Sequence, residues 1–117
     1  MIAVRALPEI ELTEDRGWSL TLWVSLGFDY SAPFRSYVDE IASLFSEQAP
    51  VVRLPPYEQG EDFVFGSLLI GVADFKLYLE YALGYIDISS TEKSSMEDLA
   101  GRLKGIIALG LDEAGGA

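Results

Sequence analysis

Residues 63–89 read FVFGSLLIGVADFKLYLEYALGYIDIS and contain three consecutive strand patterns. From residue 75 to residue 81, Phe, Leu, Leu and Tyr alternate with Lys, Tyr and Glu, which places the first set on one face of a sheet. The alternation returns at 85–89, and Gly84 before it allows the positive φ angle of a tight hairpin. Residues 63–71 are apolar on both faces, which predicts a strand inside the sheet or covered on both sides. We therefore expect an antiparallel meander.

Further strands are predicted outside this meander. A weak strand pattern lies within residues 2–12, and a strong one covers 18–26. Residues 51–54 are consistent with one short additional strand, although prolines flank them.

Two helices are predicted from apolar residues that recur at spacings of three and four. The first covers 34–47, with Ser31 as its N-cap. The second begins with Ser94 and Glu97, which have the spacing of a capping box, and it ends at Gly110.

These elements define the expected fold class. The chain of 117 residues predicts a single domain, in which 110–117 form a frayed tail. The fold is α+β, with a mostly antiparallel five-stranded sheet and the order β-β-α-β-β-β-α. Both helices should pack on one face of that sheet.

The composition excludes several kinds of chemistry. The chain contains neither cysteine nor histidine, so Ser-His-Asp and Cys-His catalysis are impossible. Histidine is also the commonest general base and transition-metal ligand. No glycine-rich phosphate loop precedes a helix. We therefore expect a protein that is not an enzyme, with no catalytic residues, no metal and no cofactor.

Location and partners follow from hydropathy and charge. The longest apolar run, 63–73, is too short to span a bilayer, and no signal peptide is visible, so a cytoplasmic protein is expected. Nineteen acidic and 8 basic residues give a net charge of −11. This charge disfavours nucleic acid and membrane as partners and favours a cationic protein. Solubility alone is an equally good reason for the acidity.

The polar face of the last two predicted strands is the candidate binding surface. Tyr78, Glu80, Tyr85 and Asp87 point to this face. Two tyrosines between carboxylates suit a Lys- or Arg-rich partner, because the rings accept cations and the carboxylates form charge-assisted hydrogen bonds. An ordinary cross-strand tyrosine pair on a hydrated face is the alternative.

Four more residues are assigned to the partner-binding surface. Trp23 lies on the hydroxyl-rich face of its strand, either as an interface anchor or as cover under a loop or helix end. Glu58, Glu61 and Asp62, in an irregular proline-rich segment, would extend the negative field.

Residues 66–89, GSLLIGVADFKLYLEYALGYIDIS, resemble the meander of small bacterial immunity proteins that neutralise contact-dependent growth inhibition toxins. Size, acidity and α+β order are similar as well. The resemblance implies a cytosolic antitoxin that binds the toxic C-terminal domain of a large secreted effector, often a basic nuclease. It also implies inhibition by occlusion of a cationic active site.

Two other functions remain open at this point. The chain is also consistent with a homo-oligomeric structural or adaptor module, such as a homodimer, that pairs through a strand edge or the Trp23 face. A small-molecule-binding domain or a carboxylate enzyme using Glu80 and Asp87 is the third alternative.

Overall fold

A computed structural model describes residues 1–15, 17–25 and 34–110, and it confirms the α+β class. The strands are β1 Ile2–Val4, β2 Ile10–Thr13, β3 Gly17–Trp23, β4 Val51–Arg53, β5 Phe63–Ile70, β6 Ala73–Glu80, β7 Tyr85–Ser90 and β8 Ile107–Leu109. The helices are α1 Phe34–Ser43 and α2 Lys93–Leu103, and a 3-10 turn covers Ser46–Gln48.

The main sheet has six antiparallel strands in the order β2-β3-β7-β6-β5-β4. The predicted meander forms its centre: β5 pairs with β6 and β6 with β7. Both hairpins turn at glycines with positive φ angles, 60° at Gly71 and 76° at Gly84. The short strand at residues 51–53 is present and forms one edge of the sheet.

The N-terminal segment differs from the prediction because it contains two strands instead of one. Only β2 joins the main sheet, and β1 pairs in parallel with β8. The sequence placed residues 107–109 in the second helix, but α2 ends at Leu103. A short apolar run fits a helical stripe and a strand equally well, and pairing with the buried Ile2 and Val4 decides for the strand.

The helix boundaries also need correction. The capping box is wrong: α2 begins at Lys93, one residue before the predicted cap, and the backbone N–H of Glu92 donates to Ser90 Oγ at 3.1 Å. The first helix ends at Ser43, and the chain continues into the 3-10 turn. Ser31 and residues 111–117 of the predicted tail lie outside the described residues. Gly110 donates its N–H to the Val4 carbonyl at 2.8 Å.

The hydrophobic core lies between the helices and one face of the main sheet, as the sequence predicts. The helices contribute Val38, Ile41, Met96 and Leu99 among others. The sheet contributes alternate residues of its central strands: Leu20, Leu22, Val64, Leu68, Phe75, Leu77, Leu79, Ile86 and Ile88. Apolar burial of this kind contributes roughly 25 cal/mol per Å², which makes it the main stabilising term of the fold.

Gly66 allows β4 and the residue after it to approach β5 closely. A Cβ atom at this position would lie 2.5 Å from the Arg53 carbonyl oxygen and would also collide with the Leu54 side chain. We expect Gly66→Ala to lower the free energy of unfolding by about 1–3 kcal/mol, measured by urea denaturation.

Gly101 is the matched control because nothing lies within 4 Å of its hypothetical Cβ in α2. Gly101→Ala should stabilise the protein by about 0.5–1 kcal/mol through helix propensity. If the two substitutions change the free energy of unfolding equally, the close approach of β4 does not restrict the side chain at position 66.

Candidate functional site: the open face of the sheet

The face of the main sheet opposite the two helices carries the candidate site, and we call it the open face. Pairing register places most of its side chains in three rows across the strands, and a shorter fourth row holds Asp74, Leu69 and Val51. The first row is Trp23, Tyr85, Glu80 and Phe63, the second is Thr21, Asp87, Tyr78 and Phe65, and the third is Glu11, Ser19, Ser89, Lys76, Ser67 and Arg53.

Aromatic side chains form a continuous strip across β3, β7, β6 and β5. The centroids of successive rings are 5.0 Å apart from Trp23 to Tyr85, 5.8 Å from Tyr85 to Tyr78, 4.7 Å from Tyr78 to Phe65 and 5.7 Å from Phe65 to Phe63. Phe65 is 65% exposed, Phe63 53% and Trp23 40%. A contiguous exposed strip of this kind is typical of an interaction surface.

The sequence predicts part of this strip. Trp23, Tyr78 and Tyr85 were assigned to the binding surface, and the structure brings these three together. Phe63 and Phe65 are missing from the prediction, because residues 63–71 are apolar on both faces and predict a strand inside the sheet or covered on both sides. That strand does lie inside the sheet, but its two phenylalanines are exposed on the open face. Their alternation with the buried Val64 was the available signal.

The predicted carboxylates Glu80 and Asp87 differ in their environments. They lie on neighbouring strands, but Glu80 is opposite Tyr85 and Asp87 is opposite Tyr78, so the two form a diagonal. Glu80 accepts the Ala82 backbone N–H at 3.0 Å. Asp87 is only 5% exposed, and its Oδ1 accepts the Thr21 hydroxyl at 3.0 Å.

Tyr78 connects the carboxylates to the strip. Its hydroxyl lies 3.4 Å from Glu80 Oε1 and is oriented to donate to it. Partial burial, and then the negative charge of Glu80, raise the pKa of Tyr78 above its usual value. The phenol carries its proton at physiological pH, as an ordinary tyrosine does, and it can donate that proton in a hydrogen bond.

A groove of about 320 Å³ lies beside the middle of the strip. Phe65, Tyr78 and Tyr85 line it together with Asp87 and Ser89. The groove is concave and lined by rings and a few polar groups, which is a common composition of ligand sites.

The third group of predicted residues, in the loop before β5, has a different role from the one expected. Glu61 accepts two hydrogen bonds from Arg35, at 3.0 Å from Nε and 2.9 Å from Nη2, and a third from the Tyr81 hydroxyl. Its side chain is only 9% exposed. Glu61 thus anchors the loop to α1, and only Glu58 and Asp62 remain exposed there.

This network shifts the pKa values of its members. Hydrogen bonding from Arg35 holds the pKa of the Glu61 carboxyl below its usual value, although burial opposes the shift. Burial and the hydrogen bond to Glu61 raise the pKa of Tyr81 to about 12. No local pattern pairs Arg35 with a residue 26 positions away.

Stability at low pH depends on this network. Because folding lowers the pKa of Glu61, its contribution is fully present above the ordinary value of 4.5 and is lost as the pH falls through the lowered folded value. We expect Glu61→Gln to reduce the free energy of unfolding by about 1–3 kcal/mol at neutral pH, measured by urea denaturation. The difference from the unmodified protein should shrink as the medium becomes acidic.

Glu58→Gln is the control for that experiment, since it removes an exposed carboxylate from the same loop. Its backbone N–H, not its side chain, contacts Glu61 Oε1, at 3.5 Å. An equal loss in both variants would assign the effect to loop charge instead of the ion pair.

Charge alone does not distinguish the two sides of the molecule. Exposed carboxylates occur on the open face, at Glu11 and Asp74, and on the helical side, at Asp39 and Glu97. The aromatic strip differs in this respect: among the described residues, it lies on the open face and not on the helical side. It is therefore the strip that identifies the candidate site.

Within the described ranges, no three acidic side chains are grouped closely enough to hold a metal ion. Neither helix of those ranges has the length and apolar character needed to cross a membrane. Comparison with known proteins gives no match to the chain, whether with family models, with curated proteins or with solved structures.

Proposed function

We propose that this protein is a small acidic immunity protein that binds the basic toxin domain of a contact-dependent growth inhibition effector through the open face. The observation that carries the proposal is the aromatic strip from Trp23 to Phe63, exposed on four strands that each pair with a neighbour on both sides. Such a surface needs no reactive group, since it inhibits by covering the partner's active site.

Charge complementarity supports a cationic partner. The net charge of −11 attracts a basic domain over long range and raises its association rate. At short range, the tyrosine and tryptophan rings accept cations on their faces. The chain already uses this contact, because the Arg5 guanidinium lies 5.5 Å from the centroid of the Trp23 ring at one end of the strip.

The assignment to a toxin of the growth-inhibition class rests on the resemblance of residues 66–89 and on the small, acidic, α+β character of the chain. In this role the protein stays in the cytoplasm of the producing cell and protects it from a nuclease domain. The partner surface then consists of the strip with Glu80, Asp87 and the exposed loop carboxylates Glu58 and Asp62.

Phe65→Ser tests the strip directly. The side chain is exposed, so the substitution should leave the fold intact, and we expect it to weaken binding of the basic domain by about tenfold or more. Basic proteins retained by the immobilised wild type but not by this variant are purified, and their affinities are measured by calorimetric titration. The retained protein should be toxic when expressed alone and harmless with the wild type.

Glu80→Lys tests the charge component, and it is a better choice than a substitution of the buried Asp87. We expect about tenfold weaker binding and a smaller dependence of the affinity on salt. Glu97→Lys on α2 makes the same change of charge on the helical side and should have little effect. Equal losses in the two variants would mean that the open face is not the contact surface.

A homodimer is the second candidate, because an exposed aromatic strip can also bind a second copy of itself. Two copies that each carry a net charge of −11 repel one another, which favours the cationic partner. Light scattering separates the two: a dimer that Phe65→Ser dissociates supports the homodimer, and a monomer supports the immunity protein.

A further inference from the structure

The groove beside the strip contains a buried hydroxyl group, that of Ser89. Ser89 lines the groove and is 1% exposed. Its side chain makes no hydrogen bond within the part of the chain that the structure describes. A buried hydroxyl without a partner loses its hydrogen bonds to water, so a ligand that supplies one gains affinity.

Charges around the groove select a cation. A second groove of about 520 Å³ shares Asp15, Phe65, Lys76 and Ser89 with the first. Among the described residues that line the two grooves, four side chains are acidic and one, Lys76, is basic; the acidic ones are Glu14, Asp15, Asp74 and Asp87. The Lys76 ammonium lies 4.0 Å from Asp74 Oδ2, which offsets part of its positive charge. An anionic ligand is therefore repelled, whereas a cation is attracted.

The walls of the groove favour a planar cation. Tyr78 and Tyr85 have ring centroids 5.8 Å apart, and Phe65 continues the wall from Tyr78 at 4.7 Å. A guanidinium stacks on such rings and donates in its plane to a carboxylate and a hydroxyl together. The ammonium of lysine is a point charge without that geometry.

Building on the proposed docking of the open face, we infer that the groove receives one arginine side chain of the partner. The guanidinium stacks against Tyr78 and Tyr85, donates to the Asp87 carboxylate and donates to Ser89 Oγ. The aromatic strip supplies contact area, and this arginine fixes the position of the partner on it.

The probe is the blocked tripeptide Gly-Arg-Gly, titrated into the intact protein labelled with ¹⁵N. We expect amide shifts centred on residues 78, 85, 87 and 89. The same peptide with citrulline, which is neutral and of similar shape, should give no shifts there, and the lysine peptide should bind about fivefold more weakly. Equal shifts from the arginine and citrulline peptides, or shifts confined to the helical side, would overturn the inference.

Two variants examine the polar contacts. Asp87→Asn keeps an oxygen that accepts the Thr21 hydroxyl but removes the charge, and Ser89→Ala removes only the hydroxyl. We expect about tenfold weaker arginine binding in the first and about threefold in the second. Asp39→Asn, which makes the same charge change on α1, should leave binding unaltered. Unchanged binding in Asp87→Asn contradicts the assignment.

The inference and the proposed function fail in different ways. If a basic protein binds and loses affinity in Phe65→Ser but not in Asp87→Asn or Ser89→Ala, the open face is the docking surface and the arginine site is wrong. If the arginine peptide binds in the groove but Phe65→Ser does not weaken the binding of any basic protein, the arginine site is supported and the docking proposal is wrong.

Discussion

The register of the antiparallel strands β3, β7, β6 and β5 is the constraint on which the rest of this structure depends. Because side chains alternate between faces with a period of two, one register places Leu20, Ile88 and Leu77 under the helices. The same register places Trp23 opposite Tyr85 on the other face. A slip of one residue would bury the tyrosine and expose the aliphatic residues, so the core holds the aromatic strip in place.

Local periodicity is strong enough to predict the meander from the sequence, and with it the part of the strip that lies on β6 and β7. The polar alternation around Tyr78 and Tyr85 identifies the outward side, and Gly84 identifies the turn between them. Trp23 is assigned correctly to the hydroxyl-rich side of its own strand. What the sequence does not specify is the order of the strands, which makes β7 the neighbour of β3 and thereby joins Trp23 to the tyrosines.

The failures of prediction share a physical cause, which is contact between distant parts of the chain. Residues 107–109 form a strand because β1 lies beside them, and no local pattern encodes that pairing. The Glu61 side chain is largely covered because Arg35 and Tyr81 reach it from α1 and from the end of β6. The sequence pattern of an acidic loop does not distinguish hydrated carboxylates from paired ones. The sequence alone therefore predicts that Glu61 lies on the surface.

The acidity of the chain and its exposed rings are best understood together. An exposed aromatic strip on a sheet favours self-association, and natural sheet proteins oppose this with charge. Here Glu11, Asp74 and Glu80 share the open face with Phe63 and Phe65, so two copies that approach strip to strip bring like charges together. The same carboxylates attract a cationic surface. In the proposed function, one set of charges thus disfavours self-association and favours the cationic partner.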